Sequence, residues 1–331
     1  MNFRSVAQLS DQVLHWTRRL PHDIELVVGV PRSGLLAANL LGLYLNVPIA
    51  DVDGFLEGRI LGQGRRGQRR LDTGDGNGAE FLSRPRKVLV LDDSLFSGNS
   101  MREVRERIGE SGGPHDVLYG AVYVYPHRLD EVDVYCEPLT WPRVFEWNVL
   151  HHPSLGQFCL DMDGVLCRDP SNEENDDGPK YRTFLETAQP YLIPSAKVGW
   201  IVTSRLERYR AETEAWLRAH GVEYGELVML DGHTAASRRQ MGIHSALKAD
   251  VYRSLDAPLF IESNIKQSVE IANLSGKEVI CTDTMQMVHP GATVASRFQT
   301  GRQRLTRAER ATLAARRVAG RSVRALRALV S

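Results

Sequence analysis

The chain has 331 residues, more than one ordinary domain of roughly 100–200 residues, so two separate cores are expected. Hydrophobic residues make up 42% and charged residues 25%, which excludes a wholly disordered chain. Lys plus Arg and Asp plus Glu are each 41, and a zero sum argues against a dedicated nucleic-acid binder unless the charge is unevenly spread.

Residues 1–25 are mixed and charged, without the apolar core of a secretory signal. Residues 24–30 read as a buried strand, apolar and β-branched, ending at glycine and proline. Residues 35–45 have helical spacing, and residues 47–52 form a second short strand. The uncharged stretch 33–50 approaches the length of a membrane span. Asn39, Asn46 and Pro48 interrupt it, so a buried helix and strand are expected and no membrane partner. Residues 87–91 give a third strand, 101–110 a helix and 117–125 a fourth strand. Residues 58–71 hold Arg59, Arg65, Arg66, Arg69 and Arg70 among glycines, with no acid.

Residues 138–153 are irregular and rich in Trp, Pro and His. The alternation then restarts, with strands at 157–160, 197–202, 227–230, 258–261 and 278–281 and a helix at 207–220. The expected class is α/β, with two open parallel-sheet, Rossmann-like domains in tandem. Their expected bounds are 1–153 and 154–296, followed by a basic helical tail at 297–331. Cys136, Cys159, Cys167 and Cys281 are too few and too scattered for a disulfide framework or a zinc site. They fit a cytoplasmic location.

Ligands of open α/β sheets sit outside the carboxyl ends of the strands. There the apolar run 88–91 delivers Asp92 and Asp93, and the small-residue loop Ser94, Ser97, Gly98, Asn99 and Ser100 opens a helix. Backbone N–H groups at such a turn suit a phosphate dianion, and adjacent acids accept hydrogen bonds from a ribose diol. A second strand end carries Pro31, Arg32, Ser33 and Gly34 into another helix.

Together these segments resemble the signature of the type I phosphoribosyltransferases, with serines where many members have threonines. The resemblance implies phosphoribosyl diphosphate as co-substrate, Mg²⁺ on its diphosphate and ribose oxygens, and displacement of pyrophosphate by a nitrogen of a base-like acceptor. It also implies that 58–71 forms a flexible hood over the diphosphate. Trp141, Phe145 and Trp147 are candidates either for stacking the acceptor or for plain core packing. His127, His151 and His152 read as loop residues.

In the second half, Asp161 and Asp163 stand two residues apart at a strand end, followed by Gly164. Asp161 has the chemistry to attack phosphorus and Asp163 to move the proton. This run resembles motif I of the haloacid dehalogenase (HAD) superfamily, and residues 201–205 resemble its motif II. The resemblance gives Thr203 a hydrogen bond to the phosphoryl oxygen and Lys248 the motif III cation. Residues 259–264 occupy the place of motif IV, but Glu262 and Ser263 stand where most members carry two aspartates. The implied Mg²⁺ would rest on Asp161, Asp163 and Glu262. Residues 167–196 are too short for a large cap, and Arg168, Lys180, Tyr181 and Arg182 there are candidates for substrate contact.

From Arg297 onward the chain has ten arginines and one acid, Glu309. The body is therefore acidic by the amount that the tail is basic. Residues 306–330 have the spacing of an amphipathic helix. Docking on the acidic body, within one subunit or across a homo-oligomer, is preferred to nucleic-acid binding, because no aromatic follows Phe298 to stack bases. The expected function is a bifunctional enzyme of small molecules: transfer of the phosphoribosyl group to a nucleobase-like acceptor, and hydrolysis of a phosphomonoester through an aspartyl-phosphate. The alternatives are a phosphoribosyl-diphosphate-binding regulator with an RNA-binding tail, and an active transferase with a degenerate second domain.

Overall fold

Asn2–Arg4 (β1) pairs in parallel with Arg143–Phe145 (β7), outside both larger sheets. The computed structural model describes residues 1–61, 78–110, 113–176, 178–231 and 243–294. The basic tail and Arg65, Arg66, Arg69 and Arg70 lie outside the described residues. No helix among those described is long and apolar enough to cross a membrane.

The first large sheet has five parallel strands. Leu26–Gly29 (β2) lies between Ile49–Asp51 (β3) and Lys87–Leu95 (β4); Asp116–Val124 (β5) and Val134–Pro138 (β6) follow outward. The four residues of β2 are all buried, as befits a central parallel strand covered on both faces. One face packs Leu26, Val28, Val88 and Val90 with Phe81 and Met101. The other packs Val27, Leu89 and Leu91 with Leu9, Trp16 and Leu41.

The second large sheet takes the order Tyr224–Leu230 (β10), Val198–Leu206 (β9), Cys159–Leu160 (β8), Phe260–Glu262 (β11), Val279–Cys281 (β12) and Gln286–Val288 (β13). Its expected all-parallel form is corrected by β13, which runs antiparallel to β12. Only four residues separate those two strands, and a short turn joins antiparallel neighbours.

Two strands run further than their apolar stretches. The strand predicted at 87–91 continues through Asp92, Asp93 and Ser94 to Leu95, because β5 keeps pairing it, with Asp92 opposite Ala121 and Ser94 opposite Tyr123. The strand predicted to end at 202 runs to Leu206 and carries Thr203, Ser204 and Arg205, with Leu206 opposite Leu230. The region read as irregular holds β7 and a 3₁₀ segment, Glu146–His151. Phe3, Val144, Val149, Leu150 and Leu155 pack with Leu160 and Ile201 beneath the second sheet, whereas Phe145 packs with Val122 and Tyr123 of the first. The β1–β7 ladder thus serves both cores.

Candidate active sites

The carboxyl edges of β2 and β4 meet at one place. After Gly29 the chain turns through exposed Pro31 and Arg32, joined by a cis peptide, and enters the helix Gly34–Leu45. Ser33 holds the N-cap position without making a side-chain capping bond. Its Oγ instead donates to Asp93 Oδ1 at 2.7 Å. A methyl at Gly34 would stand 2.9 Å from Asp92 Oδ1 and from the Leu91 carbonyl oxygen. The helix therefore starts against β4 only because this residue has no side chain.

Trp147 Nε1 donates to Asp93 Oδ2 at 3.0 Å, so both oxygens of this carboxyl, 3% exposed, have protein donors. Asp92 Oδ1 accepts from the Asp93 amide at 2.8 Å. Burial pushes the Asp92 carboxyl well above the ordinary carboxylate range, and the Asp93 charge beside it adds to the effect.

Further along β4, part-buried Ser94 lies within the strand. Exposed Ser97 accepts from the Asn99 amide at 3.4 Å just ahead of the helix Asn99–Glu110, where exposed Ser100 also sits. Gly98 adopts a φ of +78°, and the Glu131 carboxylate, itself paired with Arg128, packs against it. An acid beside this proposed phosphate loop was not foreseen. Of the basic loop, Arg59 is described, and it bonds Glu57 at 2.8 Å.

Trp147 joins Asp93 to a cluster of aromatic residues. Phe145 is buried and stacks on Trp147 with centroids 4.7 Å apart. Phe96 and Trp141, each 46% exposed, lie 5.4 Å apart. His152 is buried, donates from Nε2 to the Arg143 carbonyl at 3.0 Å and accepts at Nδ1 from the Ser154 amide. It is a loop residue, as expected, but a packed one, and burial pushes its pKa down.

The second site is a cavity of about 320 Å³ at the carboxyl edge of β8, β9 and β11. Asp161, Asp163, Thr203, Lys248 and Glu262 all line it, and so do Asp169, Asp283 and Tyr181. Of the other insertion candidates, Arg168 pairs with Glu174 and Arg182 with Glu212. Gly164, at a φ of +81°, lets the chain turn beneath Ser263.

Lys248 is 2% exposed. Its Nζ donates to Asp161 Oδ2 and Glu262 Oε2, each at 2.7 Å, and to Gln267 Oε1 at 3.2 Å. Burial would lower its pKa, but Asp161 and Glu262 raise it. Burial pushes Asp161 up to about 8; Lys248 opposes this, and Glu262 and Asp163 add to it.

Buried Arg205 grips Asp163. Its Nε lies 3.2 and 3.1 Å from the two carboxylate oxygens, and its Nη2 lies 2.6 Å from Oδ1. Burial raises Asp169 and Asp283 as well, with Asp163 next for the former and Glu262 for the latter. Asp283 follows the end of β12 at the same sheet edge, a position that could have flagged it. Asp169 lies in the 167–196 insertion, directly after Arg168.

Magnesium was expected on Asp161, Asp163 and Glu262. Among the described residues no group of three or more His, Cys, Asp or Glu side chains stands where it could hold a metal ion. Each of the three acids instead bonds a side-chain cation. As arranged, these residues do not fit the ion.

No family model matches the chain, and no curated protein matches it. Solved structures resemble part of it. One is a purine phosphoribosyltransferase from Pyrococcus horikoshii Ot3, 18% identical, covering 44% of this chain and 95% of that one with a TM-score of 0.30. A second is the Helicobacter pylori xanthine-guanine-hypoxanthine phosphoribosyltransferase, 15% identical, covering 45% and 92% with a TM-score of 0.32. A third is the Leishmania donovani UMP synthase, 14% identical, covering 44% and 28% with a TM-score of 0.28.

Proposed function

We infer that residues 1–153 transfer a 5-phosphoribosyl group from phosphoribosyl diphosphate to a nitrogen of a base-like acceptor. The observation that carries this reading is the junction of Ser33, Gly34, Asp92 and Asp93 at the carboxyl edges of two adjacent parallel strands. The turn at Pro31–Gly34 offers backbone donors and Arg32 to the diphosphate. The segment Ser94–Ser100, from the end of β4 into the next helix, takes the 5-phosphate, and the acid pair takes the ribose hydroxyls. Magnesium, where present, arrives on the donor's own oxygens. In the reaction the bond from C1 to the diphosphate oxygen breaks, and pyrophosphate leaves with the electron pair. The acceptor nitrogen forms the new bond to C1 and loses its proton to solvent or to the leaving group.

Residues 154–296 we read as a phosphomonoester site. Asp161 attacks phosphorus, and the ester oxygen leaves with a proton from Asp163. Water then attacks the aspartyl-phosphate, gives a proton to Asp163 and releases phosphate and free Asp161. Lys248 and Thr203 steady the phosphoryl oxygens, and the transferase product is a candidate substrate. One observation favours a second reading, in which this site binds a phosphoryl group without turnover: Arg205 already occupies both oxygens of Asp163.

The test is incubation of the full chain with donor, Mg²⁺ and a panel of bases, followed by mass spectrometry of the products and a phosphate assay. Pyrophosphate release abolished by Asp93→Ala is the expected result. Turnover of neither the donor nor any phosphomonoester sinks the enzyme reading.

A further inference from the structure

Arg143 opens β7, opposite Asn2 of β1, and its carbonyl oxygen is held by His152. The backbone from which its side chain leaves is thus fixed. The residue is 6% exposed. Its Cζ lies 5.2 Å from the Phe96 ring centroid and 5.5 Å from that of Phe145. Nη1 is buried and has no hydrogen-bond partner. A guanidinium carries five donors in a planar fork, and two aromatic rings do not replace an acceptor oxygen. A buried orphan of this kind calls for a missing partner.

Its surroundings tie it to the first site. Phe145 stacks on Trp147, whose Nε1 holds Asp93. Phe96 directly follows β4, three residues beyond Asp93. Burial lowers the Arg143 pKa, and the Asp93 charge opposes it. Beside Phe96, and tilted 39° to it, lies Trp141, which stacks on His152 by one face; both rings are half-exposed to solvent.

We propose that Phe96, Trp141 and Arg143 form the acceptor subsite, and that the acceptor is a planar heterocyclic acid rather than a neutral base. The proposal rests on the transferase reading of this half. A flat ring stacks on the exposed aromatic pair. A carboxylate on that ring supplies the acceptor oxygen that Nη1 lacks, and a charge-assisted bond to a guanidinium is stronger than a neutral one. A neutral analogue leaves the buried donor unpaired, which is the larger source of discrimination.

The test uses matched probes that differ by one carboxylate: nicotinate against nicotinamide, and orotate against uracil. Each is titrated into the full chain without donor, so that binding is read apart from turnover, with tryptophan fluorescence as the readout. The acid of each pair is expected to bind at least about tenfold more tightly. Arg143→Gln removes that preference, and Arg143→Lys keeps part of it. Because Arg143 is buried, circular dichroism checks the fold, and exposed Trp141→Ala provides an independent variant that weakens both members of a pair without changing their ratio. Equal affinities in the wild type, no binding of any probe, or a preference unchanged in Arg143→Gln overturns the subsite. Donor binding is measured separately by calorimetry. A donor that does not bind while the acids still bind selectively overturns the transferase reading alone.

Discussion

Ser33 Oγ donates to Asp93 Oδ1 at 2.7 Å and so links the turn after β2 to β4 across sixty positions of the chain. Trp147 donates to the other oxygen. Asp93 is therefore oriented from two sides before any ligand arrives. Ser33→Ala or Trp147→Phe leaves one oxygen of a buried carboxyl without its donor, at a cost of about 1–3 kcal/mol. Each variant is expected to melt earlier and to bind phosphoribosyl diphosphate more weakly. Calorimetric titration beside a thermal melt checks both effects, and unchanged donor affinity in the two variants would remove Asp93 from the donor site.

Gly34 and Gly109 both lie in helices and make opposite predictions. At Gly34 an added methyl meets the Leu91 carbonyl and Asp92 at 2.9 Å, and the backbone carbonyl has little room to yield. Gly34→Ala should destabilise by about 1–3 kcal/mol through overpacking. At Gly109 nothing lies within 4 Å of the added methyl. Gly109→Ala should stabilise by up to about 1 kcal/mol through helix propensity. Urea unfolding of both variants decides; equal effects would show that the close approach at β4 has no energetic weight.

Burial, opposed by Lys248, leaves the Asp161 carboxyl at about 8. A nucleophilic carboxylate must shed its proton, so hydrolysis should accelerate as the pH rises through that value, nearly tenfold per unit below it. Folding responds with the opposite sign. The native chain keeps a proton that the unfolded chain, at 3.8, releases. The contribution of this group to stability is complete below about 3.8 and is lost as the pH rises through about 8. A pH profile of kcat/KM with p-nitrophenyl phosphate, which reports the free protein, tests the kinetic half. A rate that stays flat or falls across this interval would reject Asp161 as the attacking group.

What was legible in the sequence was whatever lies along one strand. The apolar runs of β2, β4 and β8 announce themselves, and Asp92, Asp93, Asp161 and Asp163 follow them at sheet edges where ligands collect. The capping box of Ser5 and Gln8, which starts the helix Val6–Trp16, is a local signal of the same kind. The partners that orient the acids were not legible. Trp147 reaches Asp93 from 54 positions away and Arg205 reaches Asp163 from 42, and no local spacing encodes such a contact. Likewise Asp92 to Ser94 stay in β4 because β5 continues to pair with them, a tertiary effect that overrides their weak strand preference.

Lys248 is the strongest single test of the second site, because its ammonium is shared by two buried acids. Asp161 and Glu262 are 4% and 0% exposed, and Lys248 Nζ is 2.7 Å from each. Removing one partner of a buried ion pair leaves an uncompensated charge and typically costs about 3–5 kcal/mol. Lys248→Met fills the space of the methylene stem but leaves Glu262 without its cation and Asp161, largely protonated at neutral pH, without its hydrogen-bond donor. Its melting temperature should fall at neutral pH and recover in part as the pH is lowered, since protonated acids need no counter-charge. Adding Glu262→Gln to Lys248→Met should restore part of the loss by removing one of the stranded acids. Melts of the single and double variants over a pH series measure this coupling. A double variant less stable than the single one would mean that Lys248 acts through packing rather than charge.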